Sequence, residues 1–311
     1  MSKVFLAHIA LFLVNALYGA NHVIAKGVMP DYLTPTAFIA VRVIGATALF
    51  WIVLSILGRE KIARKDFIRL ALCGLFGVAI NQLFFFHGLS LTSSINSGII
   101  MTINPIMVVI LSYFLLKERI TWKRSSGVLI GAIGAILLTL TAGTGTGDSG
   151  LGDLFILINA SSYAIYLVIV KPLMSKYKPI TVITWVFTFG LMYILVFPLT
   201  IPDLMKTNFQ AIPFDSILKI VYVIVGVTFL SYLLTIFGLK HTSASVSSSY
   251  IYFQPVMVIA FAFLFSYLGV SEDYSETITL EKVAYMIMIF AGIYLTSANS
   301  FSAARRKDSP T

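Results

Sequence analysis

The chain has 311 residues, of which 58% are hydrophobic and only 11% are charged, and its mean hydropathy is +0.93. Because a soluble protein has about 25% charged residues, this composition excludes a soluble globular protein and indicates a polytopic membrane protein. The net charge of +9 does not indicate a nucleic-acid partner, since the basic residues cluster in the connections between apolar runs.

Runs of about 20 apolar residues, the length that crosses a bilayer, recur along the chain. The first run follows Lys3 and resembles a signal peptide, but it has no clear cleavage site and opens a series of similar runs, so we interpret it as an uncleaved span. The fold class is therefore all-α, and we predict ten spanning helices at residues 4–25, 35–57, 70–89, 93–116, 125–142, 154–170, 180–201, 217–239, 243–268 and 283–300.

Two stretches repeat at a constant offset of 150 residues. Residues 86–109 and 236–259 align without a gap and are identical at 8 of 24 positions. A repeat of this kind sets the architecture. It predicts two five-span halves at residues 1–142 and 151–300, joined by a glycine-rich linker at 143–150 and followed by a cytoplasmic tail at 301–311.

The distribution of Lys and Arg predicts the orientation of the two halves. Five spans are an odd number, so the halves must lie in opposite orientations as inverted repeats. Positive residues favour the cytoplasmic side, and with both termini there, 17 of the 22 Lys and Arg residues are cytoplasmic. We expect a multi-pass protein of the bacterial cytoplasmic (inner) membrane. The four basic residues on the far side are Lys26, Lys206, Lys219 and Lys282.

A proline stands near the middle of the fourth span and at the same repeat position in the ninth. Pro105 and Pro255 each follow an amide residue, Asn104 and Gln254. Proline donates no backbone hydrogen bond, so each helix is expected to bend or open there. Broken helices at matching positions are typical of a transporter binding site, although a proline can also be a simple kink.

Several short motifs resemble the drug/metabolite transporter superfamily, specifically the EamA-type permeases. The sequence Leu-Tyr-Gly-Ala-Asn at residues 17–21 looks like the family's first-span Trp-Gly-x-Asn element. Arg42 matches the arginine usual in the second span. Glu118, with the basic stretch after it, and Gly127-x-x-x-Gly131 resemble the junction of the fourth and fifth spans.

The resemblance covers nearly the whole chain and departs from the family at two places. Tyr163 stands where a tryptophan is common in the sixth span, and the loop at residues 271–282 is longer and more acidic. The resemblance implies efflux or uptake of small metabolites, amino acids among them. Of the two directions, export is our prediction.

Polar side chains within the spans are the candidate lining of a midplane cavity. Amides can donate and accept hydrogen bonds, and aromatic rings offer apolar surface to a substrate. The alternative is that such residues only join helices to one another. The predicted substrate-binding residues are Asn21, Arg42, Asn81, Gln82, Asn104, Tyr163, Tyr166, Trp185, Tyr232, Tyr252 and Gln254.

Arg42 is the one full charge well inside a predicted span. Either it attracts a substrate carboxylate, or it is a structural residue that bonds a neighbouring helix or reaches the outer surface. Every Asp and Glu reads as a loop or span-end residue, which argues against a bare cation as substrate. If protons are coupled, His22 and His87 are the candidates, the alternative being structural hydrogen bonds.

Motifs for other functional classes are missing from the sequence. It has no nucleotide-binding Gly-x-x-x-x-Gly-Lys-Ser/Thr motif, no metal-ligand cluster and no catalytic cluster, so we predict no cofactor, no metal and no enzymatic activity. The expected partners are a small-molecule substrate and the lipid bilayer. The glycines at 127, 131 and 134 could pack within the fold or form a homodimer. The function is predicted to be secondary transport, with a channel-like facilitator or a lipophilic drug efflux carrier as alternatives.

Overall fold

The computed structural model describes residues 2–24, 32–92, 97, 100–140, 149–267 and 279–307. Within these ranges the chain forms helices and connecting turns, without a β-strand. Eight of the described helices are long and apolar enough to cross a membrane, judged by their length and composition. The protein is therefore an all-α polytopic membrane protein.

The helices of the first half follow one another through short connections. Thr34 caps the second of them, because its hydroxyl accepts a hydrogen bond from the backbone N–H of Ala37 at 3.2 Å, and Pro35 occupies the first helical position, where its fixed φ suits a helix start. The helices of this half are α1 Lys3–Ile24, α2 Pro35–Leu57, α3 Arg64–Leu89, α4 Ile103–Leu116 and α5 Trp122–Leu140.

The second half continues in the same way, with one helix that contains a 3-10 turn. A short helix, Thr200–Lys206, lies in the connection before the eighth helix. The helices are α6 Gly150–Met174, α7 Pro179–Val196, α8 Phe214–His241, α9, made of Ala244–Ser249, the 3-10 turn Tyr250–Phe253 and Gln254–Tyr267, and α10 Leu280–Lys307.

Helix ends differ from the sequence predictions at several places, among them the start of α3, the end of α7 and the end of α10. α3 begins at Arg64, six residues before the predicted start, because its basic first turn can extend from the bilayer toward water. α7 ends at Val196 rather than at residue 201, since Pro198 forces Phe197 into an extended conformation. The last helix continues through Lys307, into the predicted tail.

Parts of the predicted spans and loops lie outside the described residues. They include most of residues 93–99 at the start of the fourth predicted span, residues 143–148 of the predicted linker and residues 271–278 of the acidic loop.

Helix packing follows a pairwise pattern that relates the two halves. α1 packs on α8 and α9, and, five helices further along, α6 packs on α3 and α4. α2 packs on α8 as α7 packs on α3, while α2 pairs with α7 and α5 pairs with α10. When five is added to each helix number, counting on from α10 to α1, each of these helix contacts becomes another contact of the same set. The largest apolar core lies where α2, α3, α6, α7 and α8 meet.

The glycine face of α5 packs within the fold, against α10. A Cβ atom added to Gly127 would lie 2.7 Å from the carbonyl oxygen of Gly292, and one added to Gly292 would lie 2.5 Å from the backbone nitrogen of Gly131. Small residues allow helix backbones in membranes to approach this closely. Of the two alternatives raised by the sequence, the structure therefore shows the internal one for this face; a homodimer stays a prediction.

Candidate functional site

Arg42 is buried in α2 and is anchored to α8 from the opposite half of the chain. Arg42 is only 6% exposed, and its Nε donates a hydrogen bond to Oγ1 of Thr228 at 3.1 Å. Thr228 in turn donates to the carbonyl of Val223 at 2.8 Å. No described residue accepts a hydrogen bond from the two terminal guanidinium nitrogens of Arg42. One edge of the guanidinium is therefore fixed, and its terminal nitrogens remain available to a ligand.

Aromatic groups, rather than carboxylates, surround the Arg42 charge. The guanidinium carbon lies 5.1 Å from the centre of the Phe86 ring and 5.9 Å from that of Phe38, within the range of cation–π attraction. The hydroxyls of Tyr18 and Tyr232 are close enough to interact with it electrostatically. Among the described ion pairs none involves Arg42. The positive charge is thus sheltered but not neutralised, which suits an anionic group.

A π-helical segment stands at the same repeat position in α3 and in α8. These segments are Leu75–Ile80 and Val223–Leu230, and each leads directly into a polar pair, Asn81-Gln82 in α3 and Ser231-Tyr232 in α8. π-helical turns inside α-helices occur frequently at functional sites. Thr228, the partner of Arg42, lies within the second segment.

Backbone carbonyls in and beside the α3 π segment accept hydrogen bonds from other helices. The Tyr232 hydroxyl donates to the carbonyl of Gly77 at 3.1 Å, and Nδ2 of Asn159 donates to the carbonyl of Asn81 at 2.6 Å. The Tyr166 ring lies so close to Gly77 that an added Cβ would be 2.4 Å away. Helices α3, α6 and α8 are therefore joined at one level by polar contacts.

Several buried amide and hydroxyl atoms near this level have no hydrogen-bond partner in the described part of the chain. Gln82 is 3% exposed, and neither of its amide atoms makes a hydrogen bond of normal geometry, although the Tyr232 hydroxyl is close to it. Asn104 is fully buried; its Nδ2 donates to the carbonyl of Ala160 at 2.8 Å, but its Oδ1 has no partner. The Tyr166 hydroxyl is also unpartnered. Because native proteins pair most buried polar groups, these atoms mark a place where a polar ligand could bind.

The structure brings most of the predicted residues into one group, which we call the Arg42 cluster. Tyr163 joins it through its ring, 5.8 Å from that of Tyr166, and through electrostatic contact with Tyr18 and Tyr232. The members of the Arg42 cluster are Tyr18, Arg42, Asn81, Gln82, Tyr163, Tyr166, Thr228 and Tyr232. Asn104 donates a hydrogen bond to the carbonyl of Ala160, which follows Asn159 in the same helix, α6.

Three predicted residues lie apart from the Arg42 cluster or at its margin. Trp185 packs edge-to-face against Trp51 and Phe67, with ring centres 5.4 and 4.9 Å apart. The ring of Tyr252 covers Gly131 of α5, where an added Cβ would be 2.5 Å away. Asn21 is half-buried near the end of α1, with its Oδ1 unpartnered.

Each predicted helix break coincides with a change of backbone structure in the preceding turn. A turn at Thr102 precedes α4, in which Pro105 is the third residue, and a 3-10 turn, Tyr250–Phe253, precedes the segment that begins with the half-buried Gln254 and Pro255. The Tyr252 hydroxyl donates to the carbonyl of Thr102 at 3.2 Å. These two residues are 150 positions apart, so the 3-10 turn before Pro255 is bonded to the turn before Pro105.

One of the two candidate histidines makes a contact between helix ends. Nε2 of His87 lies 3.1 Å from Oγ1 of Thr36, which connects the end of α3 to the start of α2. This bond fits the structural alternative for His87. The side chain of His22 lies outside the described residues, and proton coupling through either residue stays a prediction.

Sequence reasoning missed Thr228 as a member of this site. Thr228 is fully buried, and its bond to Arg42 spans 186 residues of sequence. The available signal was a single hydroxyl in the apolar run from Val223 to Leu230. In the first half the repeat position holds Val78, so alignment of the halves would have singled out this threonine.

Comparison with known proteins agrees with this description. The model of the EamA-like transporter family matches residues 5–140 and 150–298. An uncharacterized transporter of Archaeoglobus fulgidus is 28% identical over 264 residues, which cover 85% of this chain and 89% of the relative. The uncharacterized transporter YyaM of Bacillus subtilis is 28% identical over 252 residues, covering 78% and 81% of the two chains.

A solved crystal structure shares the fold at low sequence identity. It superposes with a TM-score of 0.72, is 16% identical, and the match covers 97% of this chain and 99% of the other. At that identity the likeness concerns the fold alone. The relatives of higher identity are named transporters rather than enzymes.

Proposed function

Because this chain belongs to the EamA-like transporter family and is therefore a membrane transporter of the drug/metabolite type, we propose that it is a secondary carrier that exports small amphipathic metabolites, amino acids above all. The observation that carries the proposal is Arg42, a buried cation whose terminal nitrogens are not used by the described protein. Arginine binds carboxylates through two parallel hydrogen bonds. The proposed substrate therefore carries a carboxylate, which binds Arg42.

The groups around Arg42 support a zwitterionic or weakly anionic substrate. The buried amide of Gln82 can donate and accept hydrogen bonds. The tyrosine rings of the Arg42 cluster offer apolar surface for a side chain, and their hydroxyls can accept a hydrogen bond from a substrate amine. A bare lipophilic cation would meet the positive charge of Arg42 without a compensating carboxylate.

The proposed mechanism is alternating access, in which two inverted five-helix repeats move around the Arg42 cluster. The twofold pattern of helix contacts supports this repeat. The two π segments and the turns before Pro105 and Pro255 are the places where backbone hydrogen bonding is already irregular, so they are the proposed bending points. Movement at the four points would open the cluster to one side of the membrane at a time.

The proposed orientation, with ten spans and both termini in the cytoplasm, predicts a labelling pattern. Cys73 is buried, and its replacement by alanine gives a background for single cysteines. In that background Thr146→Cys should react with an impermeant maleimide added outside cells, whereas Arg64→Cys should react only after lysis. The reason is the excess of basic residues on one side. The reverse pattern would contradict the orientation.

Counterflow in proteoliposomes tests the function directly. Vesicles loaded with unlabelled amino acids should accumulate labelled amino acid against its gradient when they contain the wild-type protein. Asn104→Leu or Gln254→Leu should reduce this counterflow about tenfold, since each removes an amide beside a helix break and a lost hydrogen bond to a charged group costs about 1.5–3 kcal/mol.

Ser126→Leu is the matched control, because Ser126 donates to the carbonyl of Lys123 within its own helix, α5, and should keep nearly full activity. Full activity in both amide variants would mean that these residues do not line the site. Transport of lipophilic cations without amino acids would favour a drug efflux carrier, and flux that does not saturate would favour a channel-like facilitator.

A further inference from the structure

A polar crevice lies at the start of α3, separate from the Arg42 cluster. Its volume is 490 Å³, and it lies between the first turns of α3 and the connection from α6 to α7. The residues that line it are Lys65, Asp66, Ile68, Arg69, Leu72 and Lys176. Three of these six are cationic and one is anionic.

The single carboxylate of this crevice is already paired. Asp66 accepts hydrogen bonds from the Lys176 ammonium at 2.8 Å and from the Tyr177 hydroxyl at 2.8 Å. Among the described ion pairs, none is formed by Lys65 or Arg69. The crevice therefore has two further cations, Lys65 and Arg69, beside the ion pair of Asp66 and Lys176, and its lining carries a net positive charge.

Apolar side chains continue the same face of α3 beyond the two cations. Lys65, Ile68, Arg69 and Leu72 are spaced three and four residues apart, so they lie on one side of the helix. Ile68 is 71% exposed and Leu72 is 43% exposed, and both lie within a helix long and apolar enough to cross the bilayer. On a spanning helix, exposed apolar residues contact lipid tails, and cations one turn away can reach the headgroups through their long side chains.

We propose that this crevice binds an anionic glycerophospholipid. The phosphate lies between Lys65 and Arg69, with Arg69 supplying paired N–H donors, and one acyl chain follows Ile68 and Leu72 into the bilayer. Clusters of basic residues at a membrane surface attract anionic lipids. The exposed apolar residues beside the cations favour a lipid over a soluble anion, because a free phosphate has no apolar part that could bind to them.

Lipid titration of the purified full-length protein, followed by native mass spectrometry, tests the proposal. Phosphatidylglycerol should bind, and phosphatidylcholine should bind much more weakly. The double variant Lys65→Gln with Arg69→Gln should bind phosphatidylglycerol about 25-fold more weakly, because each cation near the membrane surface contributes about fivefold. Lys65→Arg with Arg69→Lys keeps both charges and should stay close to wild type.

The matched control removes two exposed cations elsewhere, by Arg119→Gln with Lys123→Gln, and should leave phosphatidylglycerol binding unchanged. An equal loss in this control would overturn the site, since only net charge would then matter. Equal binding of phosphatidylcholine would overturn the headgroup assignment. Complete displacement of the lipid by millimolar inorganic phosphate would assign the crevice to a soluble anion instead.

Discussion

Replacing Arg42 with glutamine is expected to lower amino-acid counterflow about a hundredfold while the protein still folds. The loss follows because a buried charge that binds an opposite charge contributes about 2–5 kcal/mol to binding. Folding should survive, since Arg42 forms no ion pair with a described residue and its removal therefore leaves no described carboxylate without its partner. A glutamine amide could still bond Thr228, the present partner of Nε. Counterflow measures the expected loss of transport, and the melting temperature of the purified variant measures whether it still folds.

Two further variants separate the charge of Arg42 from its position. Arg42→Lys keeps the charge but loses the forked donors and should retain partial transport, about a tenth of wild type. Thr228→Val removes the partner of Nε and should raise KM more than it lowers kcat, because the guanidinium is then less well held. If Arg42→Gln and Arg42→Lys both fail to accumulate as folded protein, Arg42 is a structural residue and the carboxylate argument no longer holds.

Replacing Gln82 with leucine is expected to weaken substrate binding about thirtyfold and to stabilise the protein at the same time. Gln82 is 3% exposed, and neither amide atom has a hydrogen bond of normal geometry in the described part of the chain. A buried polar group without a partner costs about 1–3 kcal/mol, which leucine would recover. A substrate that bonds the amide would lose a comparable amount of binding free energy, about thirtyfold in affinity.

Asn159→Leu is the matched control for Gln82→Leu. Asn159 is equally buried and its Oδ1 also has no partner in the described part of the chain, but, unlike either amide atom of Gln82, its Nδ2 donates to the carbonyl of Asn81 at 2.6 Å. Its replacement should therefore lower the melting temperature rather than raise it, since a carbonyl in the core loses its donor. If Gln82→Leu also lowers the melting temperature, or if it transports normally, Gln82 is not a substrate contact.

Both predictions depend on how helices from different halves meet, and the sequence anticipated only part of this. Arg42 was recognised as unusual because it is a charge inside an apolar run, a property that the sequence displays directly. Its alternatives, a substrate contact or a structural bond, could not be separated, because the bond to Thr228 crosses 186 residues. The structure shows that Nε makes a bond to a neighbouring helix and that the terminal nitrogens make no hydrogen bond to the described residues; their role in substrate binding stays a proposal.

The sequence did not show which polar residues of the spans share an inward face, and the π segments explain why. Assigning residues to one face of a helix from sequence assumes 3.6 residues per turn, but a π insertion adds a residue and rotates the following residues by ~100° about the helix axis. Asn81 and Tyr232 both come after such segments. Helix rotation also depends on where small residues permit close contact, as at Gly131, which is covered by the ring of Tyr252. That contact accounts for the position of Tyr252 away from Arg42.

The sequence by itself determined the membrane class, the 150-residue repeat and the resemblance to EamA-type permeases. These features rest on composition, on the length of apolar runs and on local motifs, which do not require knowledge of how helices pack. Only the tertiary structure decided which polar residues meet around Arg42, and it did so through contacts between residues far apart in the chain. The physical reason is that a membrane helix satisfies its own backbone hydrogen bonds, so its own sequence is enough to decide whether it crosses the membrane. Its rotation about its axis, which decides which residues face inward, depends on the helices packed against it.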